Sequence, residues 1–207
     1  NLGVTLDCQL TMRHHIINVV CAANLQLRRI GSIRHLLSTE ATITLISALV
    51  LSHLDYCNSL LLVAPISDKS TSESLENAAR LVLKLRKSEP ITPHLASLHW
   101  LPVNARIHYK MSTVVFNRLK SNLPKYLSEL LSLYTPARPL RSSSDTLSLS
   151  IPSVRTVTFG HRSFSFAGPS VWNSFTLDIR ESDSASSFKR RVKTYLYDKA
   201  YSAASPL

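Results

Sequence analysis

Few residues of this chain have the types and spacing that support catalysis. His53 and Asp55 form a His-x-Asp pattern, with which iron-dependent oxygenases begin a metal site, and His14 and His15 are adjacent. Side chains two residues apart on a helix point about 200° apart, so a helix over 39–61 would keep His53 and Asp55 from binding one ion. No two histidines stand four residues apart beside a carboxylate. The sequence therefore predicts no metal site and no cofactor of its own.

The other common catalytic centres are also missing from the sequence. A polymerase holds two Mg²⁺ ions with paired aspartates, whereas the aspartates here are scattered along the chain. There is no Gly-x-Ser-x-Gly elbow, and the 4 glycines are isolated, so no loop is predicted to cradle a phosphate. The 3 cysteines are too widely spaced for a metal knuckle or a disulfide framework. This spacing favours a reducing, intracellular compartment, the nucleus or the cytoplasm or both, and we expect no small-molecule substrate.

The positive charge of the chain is concentrated in its second half. The net charge is +11, and residues 104–207 contain 15 Lys and Arg against 6 Asp and Glu, which leaves +9 in that half. Excess positive charge attracts the phosphate backbone of nucleic acids without sequence specificity, because binding releases condensed counterions. Charge alone leaves two interpretations open: contact with an RNA or DNA backbone, and a surface that only keeps the chain soluble. No apolar run reaches the roughly 18 residues that cross a bilayer, so no membrane is expected.

The elements that must position these charges are mainly helical. Apolar residues make up 44% of the chain and recur at helical spacing, most clearly over 12–30, 39–61, 75–85 and 104–120. A short helix is expected over 124–132, and a last helix is expected to begin at Asp183, whose carboxylate would cap it. The predicted fold class is mainly α: a helical bundle with a short N-terminal strand, a Pro/Ser/Arg-rich linker and a small C-terminal α(+β) appendage.

Changes in composition predict four segments. Residues 1–7 alternate, with Leu2, Val4 and Leu6 on one face, and read as a trailing strand of a missing domain. Because the chain starts inside this strand, we expect it to be cut from something longer. Residues 8–134 are predicted to form a helical domain, residues 135–156 a flexible linker, and residues 157–207 a small basic subdomain.

Three phrases of the sequence carry a family resemblance. They are ALVLSHLDYCNSL at 48–60, LHWLPV at 98–103 and AGPSVWNS at 167–174, in that order. Shorter phrases agree with them, among them LGVTLD at 2–7, NAARLV at 77–82 and YTPARPLRS at 134–142. From Leu2 to about Tyr197, the chain resembles the C-terminal, post-palm, thumb-like region of LINE-type (non-LTR) retrotransposon reverse transcriptases.

The resemblance implies a parent enzyme whose chemistry lies elsewhere. The parent would be an RNA-directed DNA polymerase, with its catalytic aspartates and Mg²⁺ in a palm that this chain does not contain. The chain would then be a non-catalytic fragment, not an enzyme on its own. It would contribute to binding the template and primer, as RNA or an RNA–DNA hybrid, and would pack on the missing palm.

Residues of two kinds are singled out by this interpretation. The motif residues are predicted to pack in the core: Trp100, Pro102, Trp172, His53 and Tyr56. The cations predicted to contact nucleic acid are Arg138 and Arg141 in the linker, Lys189, Arg190, Arg191 and Lys193 on the last helix, and Arg106 and Lys110 on the helix over 104–120. The alternative for the cations is a solvated face with no ligand.

Two other functions remain open on the sequence. One is a protein-interaction module, in which the apolar faces at 39–61 and 104–120 pack on a palm or on another chain. The other is part of an AlkB-type alkylation-repair protein, of the oxidoreductase or methyltransferase class. This second alternative is disfavoured, because the residues supply no oxygenase or methyltransferase site.

Overall fold

The computed structural model describes residues 3–9, 11–61, 67–121, 125–135, 147–156 and 160–202, and this part of the chain is mainly helical. The helical class predicted from the sequence is confirmed. The helices are α1 (Arg13–Ile33), α2 (Thr39–Ile46), α3 (Ser52–Asp55), α4 (Ser67–Leu83), α5 (Thr92–Ser97), α6 (Val103–Ser121), α7 (Lys125–Ser128), α8 (Phe164–Asn173), α9 (Leu177–Arg180) and α10 (Ala185–Tyr201).

The predicted helix over 39–61 is broken near its end. Ser38 begins it as an N-cap, since its side chain accepts a hydrogen bond from the Ala41 N–H at 3.1 Å. The chain then runs from α2 through a π-helical turn, Ser47–Leu51, into α3. At Tyr56 the backbone becomes extended, and Cys57 has a left-handed φ of 52°. The helix therefore ends at Asp55.

The described chain forms two compact units. The first comprises Asn1–Ile107 with Tyr197–Leu207, and the second comprises His108–Leu196. These divisions fall at other residues than the predicted segments 8–134, 135–156 and 157–207. The physical reason is that packing joins distant parts of the sequence: each unit contains one end of α6 and one end of α10.

The first unit is built around the packing of α1 on α4. Ala23 on α1 and the pair Ala78 and Ala79 on α4 are completely buried, and such small side chains allow two helices to approach closely. The unit also includes the last turn of α10. There the Tyr201 hydroxyl donates to the Trp100 carbonyl oxygen at 2.5 Å, so this turn holds the LHWLPV segment in place.

The second unit has an aromatic core. The rings of Phe116 and Phe188 stack with their centroids 4.3 Å apart, and the ring of Trp172 lies 5.7 Å from that of Phe188. Offset and tilted aromatic pairs of this kind add stability beyond the area that they bury. The core thus combines side chains from α6, α8 and α10.

The segment around Leu149 is held on both of its edges, although the sequence predicts it as part of a flexible linker. An isolated antiparallel bridge joins Leu149 to Leu133. On the other edge, the Asn173 amide accepts from the Leu149 N–H at 2.9 Å and donates to its carbonyl oxygen at 2.8 Å. The Trp172 indole N–H donates to the Leu147 carbonyl at 2.7 Å. Within 147–150 the linker prediction is therefore wrong, and residues 136–146 lie outside the described residues.

The predicted N-terminal strand is also wrong for the residues that the structure describes. Residues 3–9 form turns and irregular backbone, and Leu6 is exposed. The Asp7 carboxylate accepts hydrogen bonds from the N–H and the hydroxyl of Thr11, both at 2.7 Å, which bends the chain toward α1. The side-chain bond from Thr11 lowers the pKa of Asp7. A strand needs a neighbouring strand, and no partner for it is found among the described residues.

The C-terminal appendage is entirely helical where it is described. Residues 160–202 contain α8, α9 and α10 and no strand, so its predicted β component is absent from this range.

Candidate nucleic-acid interface

The last helix carries the largest set of the predicted cations. It begins one residue later than predicted, because Ser184 rather than Asp183 is the N-cap. The Ser184 side chain accepts from the Ser187 N–H at 3.2 Å, and its carbonyl accepts from the Phe188 N–H at 2.9 Å.

One face of α10 is fixed in the core of the second unit. Phe188, Val192 and Leu196 are buried and lie four residues apart, so they form a continuous apolar row. Because this row is packed, the rest of the helix presents its side chains from a rigid support.

The side of α10 next to this row presents cations to solvent. Lys189, Arg190 and Lys193, called here the basic face, are exposed. Their side chains have no hydrogen-bond or ion-pair partner within the described ranges. Lys189 and Lys193 stand four residues apart, so their like charges repel each other along the helix.

Arg191 belongs to a different part of the helix surface. Its guanidinium donates from Nη1 to the Asp178 carbonyl oxygen at 2.6 Å, a contact that joins α10 to α9. The structure therefore separates Arg191 from the three residues of the basic face, although the sequence grouped all four.

Arg106 has a structural partner. Its Nε donates to the Asp55 carboxylate at 2.8 Å, and its Nη2 contacts the other carboxylate oxygen, so the two side chains form a two-point ion pair. Both side chains are about one-fifth exposed, at 19% and 24%. Lys110, one turn later on α6, is partly buried and has a partner of its own. Neither residue joins the basic face, and Arg138 and Arg141 lie outside the described residues.

The motif residues divide between the core and the surface. Trp100 and Trp172 are 8% and 1% exposed, so neither indole offers a face on which a base could stack. Pro102 is partly buried. His53 and Tyr56, predicted as core residues, are exposed. That prediction is wrong because Leu54 takes the inward position and the helix ends before Tyr56.

Three further exposed cations follow α4, and they are not among the cations predicted from the sequence. They are Lys84, Arg86 and Lys87, and they lie on a turn. The signal in the sequence is the dense run Lys-Leu-Arg-Lys at 84–87, which overlaps the end of the helix predicted over 75–85.

A cleft of about 480 Å³ in the second unit offers little specific chemistry. Phe116, Lys120, Trp172 and Arg180 are among the residues that line it. Trp172 is almost completely buried, and Lys120 lies over the Phe116 ring at 5.9 Å from its centroid. Among the described residues, no group of three His, Cys, Asp or Glu side chains could hold a metal ion. In the same part of the chain, no helix has the length and hydropathy to cross a membrane.

Comparisons of the chain with known protein families, with curated proteins and with solved structures find no match.

Proposed function

We propose that this chain binds the phosphate backbone of RNA or of an RNA–DNA hybrid through the basic face of α10. The observation that supports the proposal is the presence of three exposed cations, Lys189, Arg190 and Lys193, along one flank of a helix whose neighbouring apolar row is packed. In the described part of the chain these side chains neutralise no carboxylate. Their charge is thus available to an external anion.

The geometry suits a backbone better than a base sequence. A rigid helix holds the cations in place before binding, which lowers the ordering cost of association. Lysine offers a compact charge to phosphate, and arginine offers two parallel donors. Neither group reads the edge of a base in this arrangement, so we expect binding that depends on salt and not on sequence.

The resemblance to the thumb-like region of non-LTR reverse transcriptases gives this activity a setting. Under the proposal, the chain helps to hold template and primer for a polymerase centre located in a palm, and it performs no catalysis itself. Mg²⁺ would act only in that palm. The expected activity of the chain alone is binding, without polymerisation.

The alternative of a protein-interaction module has less exposed apolar surface than the sequence suggested. It depended on exposed apolar faces at 39–61 and 104–120. Val50 and Leu54 are buried in the first unit, and Val115 and Phe116 are buried in the second. On the same two segments Leu49 and Val114 stay exposed, so these faces are covered in part by the chain itself. We favour nucleic-acid binding because the cations of the basic face lack partners in the described ranges.

A salt titration tests the proposal. The dissociation constant of the intact chain for a labelled single-stranded RNA is measured by fluorescence anisotropy over a range of KCl concentrations. Replacing Lys189, Arg190 and Lys193 with Gln removes three phosphate contacts. The plot of the logarithm of the dissociation constant against the logarithm of the KCl concentration should therefore become less steep, its slope falling by about 2. At fixed low salt, the affinity should fall roughly tenfold.

A matched variant separates a local site from net charge. Lys120, Lys125 and Arg155 are exposed cations of the same unit, and their replacement with Gln removes the same total charge. This control should change the affinity less than about twofold. Equal losses in both variants, or negligible binding by the unmodified chain at low salt, would refute the proposal.

A further inference from the structure

We propose that the turn after α4 is a second site for the phosphate backbone of a nucleic acid, formed by Lys84, Arg86 and Lys87. These three residues are called the basic turn. They belong to the first unit, whereas the basic face belongs to the second. The inference rests on the proposed function for the class of ligand, and it assigns to that ligand a site outside α10.

The side chains of the basic turn are available to a ligand. All three are exposed, and none has a hydrogen-bond or ion-pair partner among the residues that the structure describes. Three cations within four residues repel one another, and a bound phosphate would relieve that repulsion.

Cations after a helix often serve only to stabilise its last carbonyl groups, but here other groups perform that role. The buried Arg34 donates from Nε to the Leu81 carbonyl at 3.0 Å and from Nη2 to the Val82 carbonyl at 2.8 Å. The Leu85 N–H donates to the Arg80 carbonyl at 3.0 Å. Three of the last four carbonyls of α4 thus have donors that are not side chains of the basic turn.

The backbone of the turn is fixed by its neighbours. The Arg80 guanidinium donates to the carbonyl oxygens of Arg86 and Glu89, at 2.5 and 2.9 Å. The Glu89 carboxylate accepts from the Arg86 N–H at 2.8 Å. Glu89, the acidic residue nearest in sequence, therefore hydrogen-bonds to the backbone of the turn, and the turn is ordered before any ligand binds.

Lys84 occupies a backbone position that suits glycine. Its φ is 55°, in the left-handed region, and the bond from the Leu85 N–H to the Arg80 carbonyl makes it the residue after a helix end, where Gly is the usual choice. A lysine here costs stability relative to glycine, so its side chain is more readily explained by binding than by folding.

The surroundings of the turn favour nucleic acid over a lipid surface. Membrane-surface binding needs apolar side chains that insert beside the cations. No large apolar residue between 83 and 91 is among the strongly exposed ones. Lysine and arginine without such neighbours match a solvated, regularly charged polymer, which is the chemistry of a phosphodiester backbone.

The test uses the intact chain and the same labelled RNA. Replacing Lys84, Arg86 and Lys87 with Gln should weaken binding roughly tenfold at low salt and reduce the salt slope by about 2. The matched control replaces Arg13, Arg28 and Arg29, exposed cations of α1 in the same unit, with Gln. It should leave the affinity within about twofold of the unmodified chain.

A single substitution gives an independent readout. Lys84→Gly relieves the left-handed strain and removes one cation, so the melting temperature should rise or stay constant while RNA affinity falls about twofold to threefold. A merely structural lysine would not separate the two quantities in this way.

The inference is overturned if the turn variant binds RNA as tightly as the unmodified chain while the basic-face variant loses affinity. The proposed function would survive that result. It is also overturned if the turn variant loses affinity only for vesicles of acidic phospholipid, or if the α1 control loses as much as the turn variant.

Discussion

Arg34 in the first unit and Arg190 in the second have the same side chain in opposite surroundings. Arg34 is buried, and it donates three hydrogen bonds to the carbonyls of Leu37, Leu81 and Val82. Arg190 is exposed and has no partner in the described ranges. Net charge alone therefore does not measure a binding surface, because part of the charge is used to complete the fold.

The largest expected effect is the loss of the buried arginine. Arg34→Ala leaves the last carbonyls of α4 without donors and should lower the free energy of unfolding by about 3 kcal/mol, since bonds to a charged group are strong and buried unpaired acceptors are costly. Chemical denaturation followed by circular dichroism measures this loss. Arg190→Ala is the control and should change stability by less than about 0.5 kcal/mol. Similar losses in the two variants would mean that Arg34 stabilises the fold no more than the exposed Arg190 does.

The sequence predicts the exposed cations of α10 but not the burial of Arg34. The periodicity of α10 was enough to predict that Phe188 and Val192 face inward, and hence that Lys189 and Lys193 face outward. Nothing local marks Arg34, because the carbonyls that it caps lie 47 and 48 residues away along the chain. Long-range contacts between a side chain and a distant backbone have no periodic signal.

The same limit explains the errors at the motif residues. The pattern over 39–61 correctly places Val50 and Leu54 in the core, but it continues smoothly through Tyr56, where the backbone leaves the helix. The ion pair between Asp55 and Arg106 likewise joins residues 51 positions apart. Helical periodicity therefore predicted α1, α2, α4, α6, α7 and α10, whereas the shorter helices α5, α8 and α9, the ends of helices and the partners of charged residues required the folded chain.

The next largest loss of stability is expected for Asn173, an uncharged side chain that, like Arg34, hydrogen-bonds to the backbone of a distant segment. Asn173 satisfies both backbone groups of the buried Leu149, so Asn173→Ala should lower the free energy of unfolding by about 2 kcal/mol. Ser170, exposed on the same helix, provides the control, and Ser170→Ala should cost less than about 0.5 kcal/mol. Denaturant midpoints of the two variants measure these losses. A small loss for Asn173→Ala would mean that water can replace its amide.

A pH titration tests a buried side chain, His15, whose charged form is disfavoured by burial. His15 is buried, its Nε2 has no hydrogen-bond partner in the described structure, and burial lowers its pKa. The unfolded chain therefore takes up this proton at a higher pH than the folded chain. Stability should be constant above the ordinary histidine pKa of about 6.5 and should decrease as pH falls through it, until the folded state is protonated too.

Unfolding free energies at pH 7.5 and pH 5 measure this contribution, which should be smaller than the loss for Asn173→Ala. His15→Leu should reduce the difference between the two pH values, whereas His14→Gln, at an exposed position, should leave it unchanged. An unaltered difference in the His15→Leu variant would assign the pH dependence to other groups.

The smallest expected effect on stability concerns the basic face, and it gives the most direct test of what these cations do. Lys189→Glu replaces a repulsive pair with an attractive one, because Glu four residues before Lys193 forms a favourable contact on a helix surface. It should raise the free energy of unfolding by about 0.3 kcal/mol and weaken RNA binding at the same time. Thermal melting and anisotropy on one preparation measure both quantities. If the basic face existed for folding, stability and affinity would fall together. Their change in opposite directions would mean that the fold tolerates the repulsion between Lys189 and Lys193 because the charges serve a ligand.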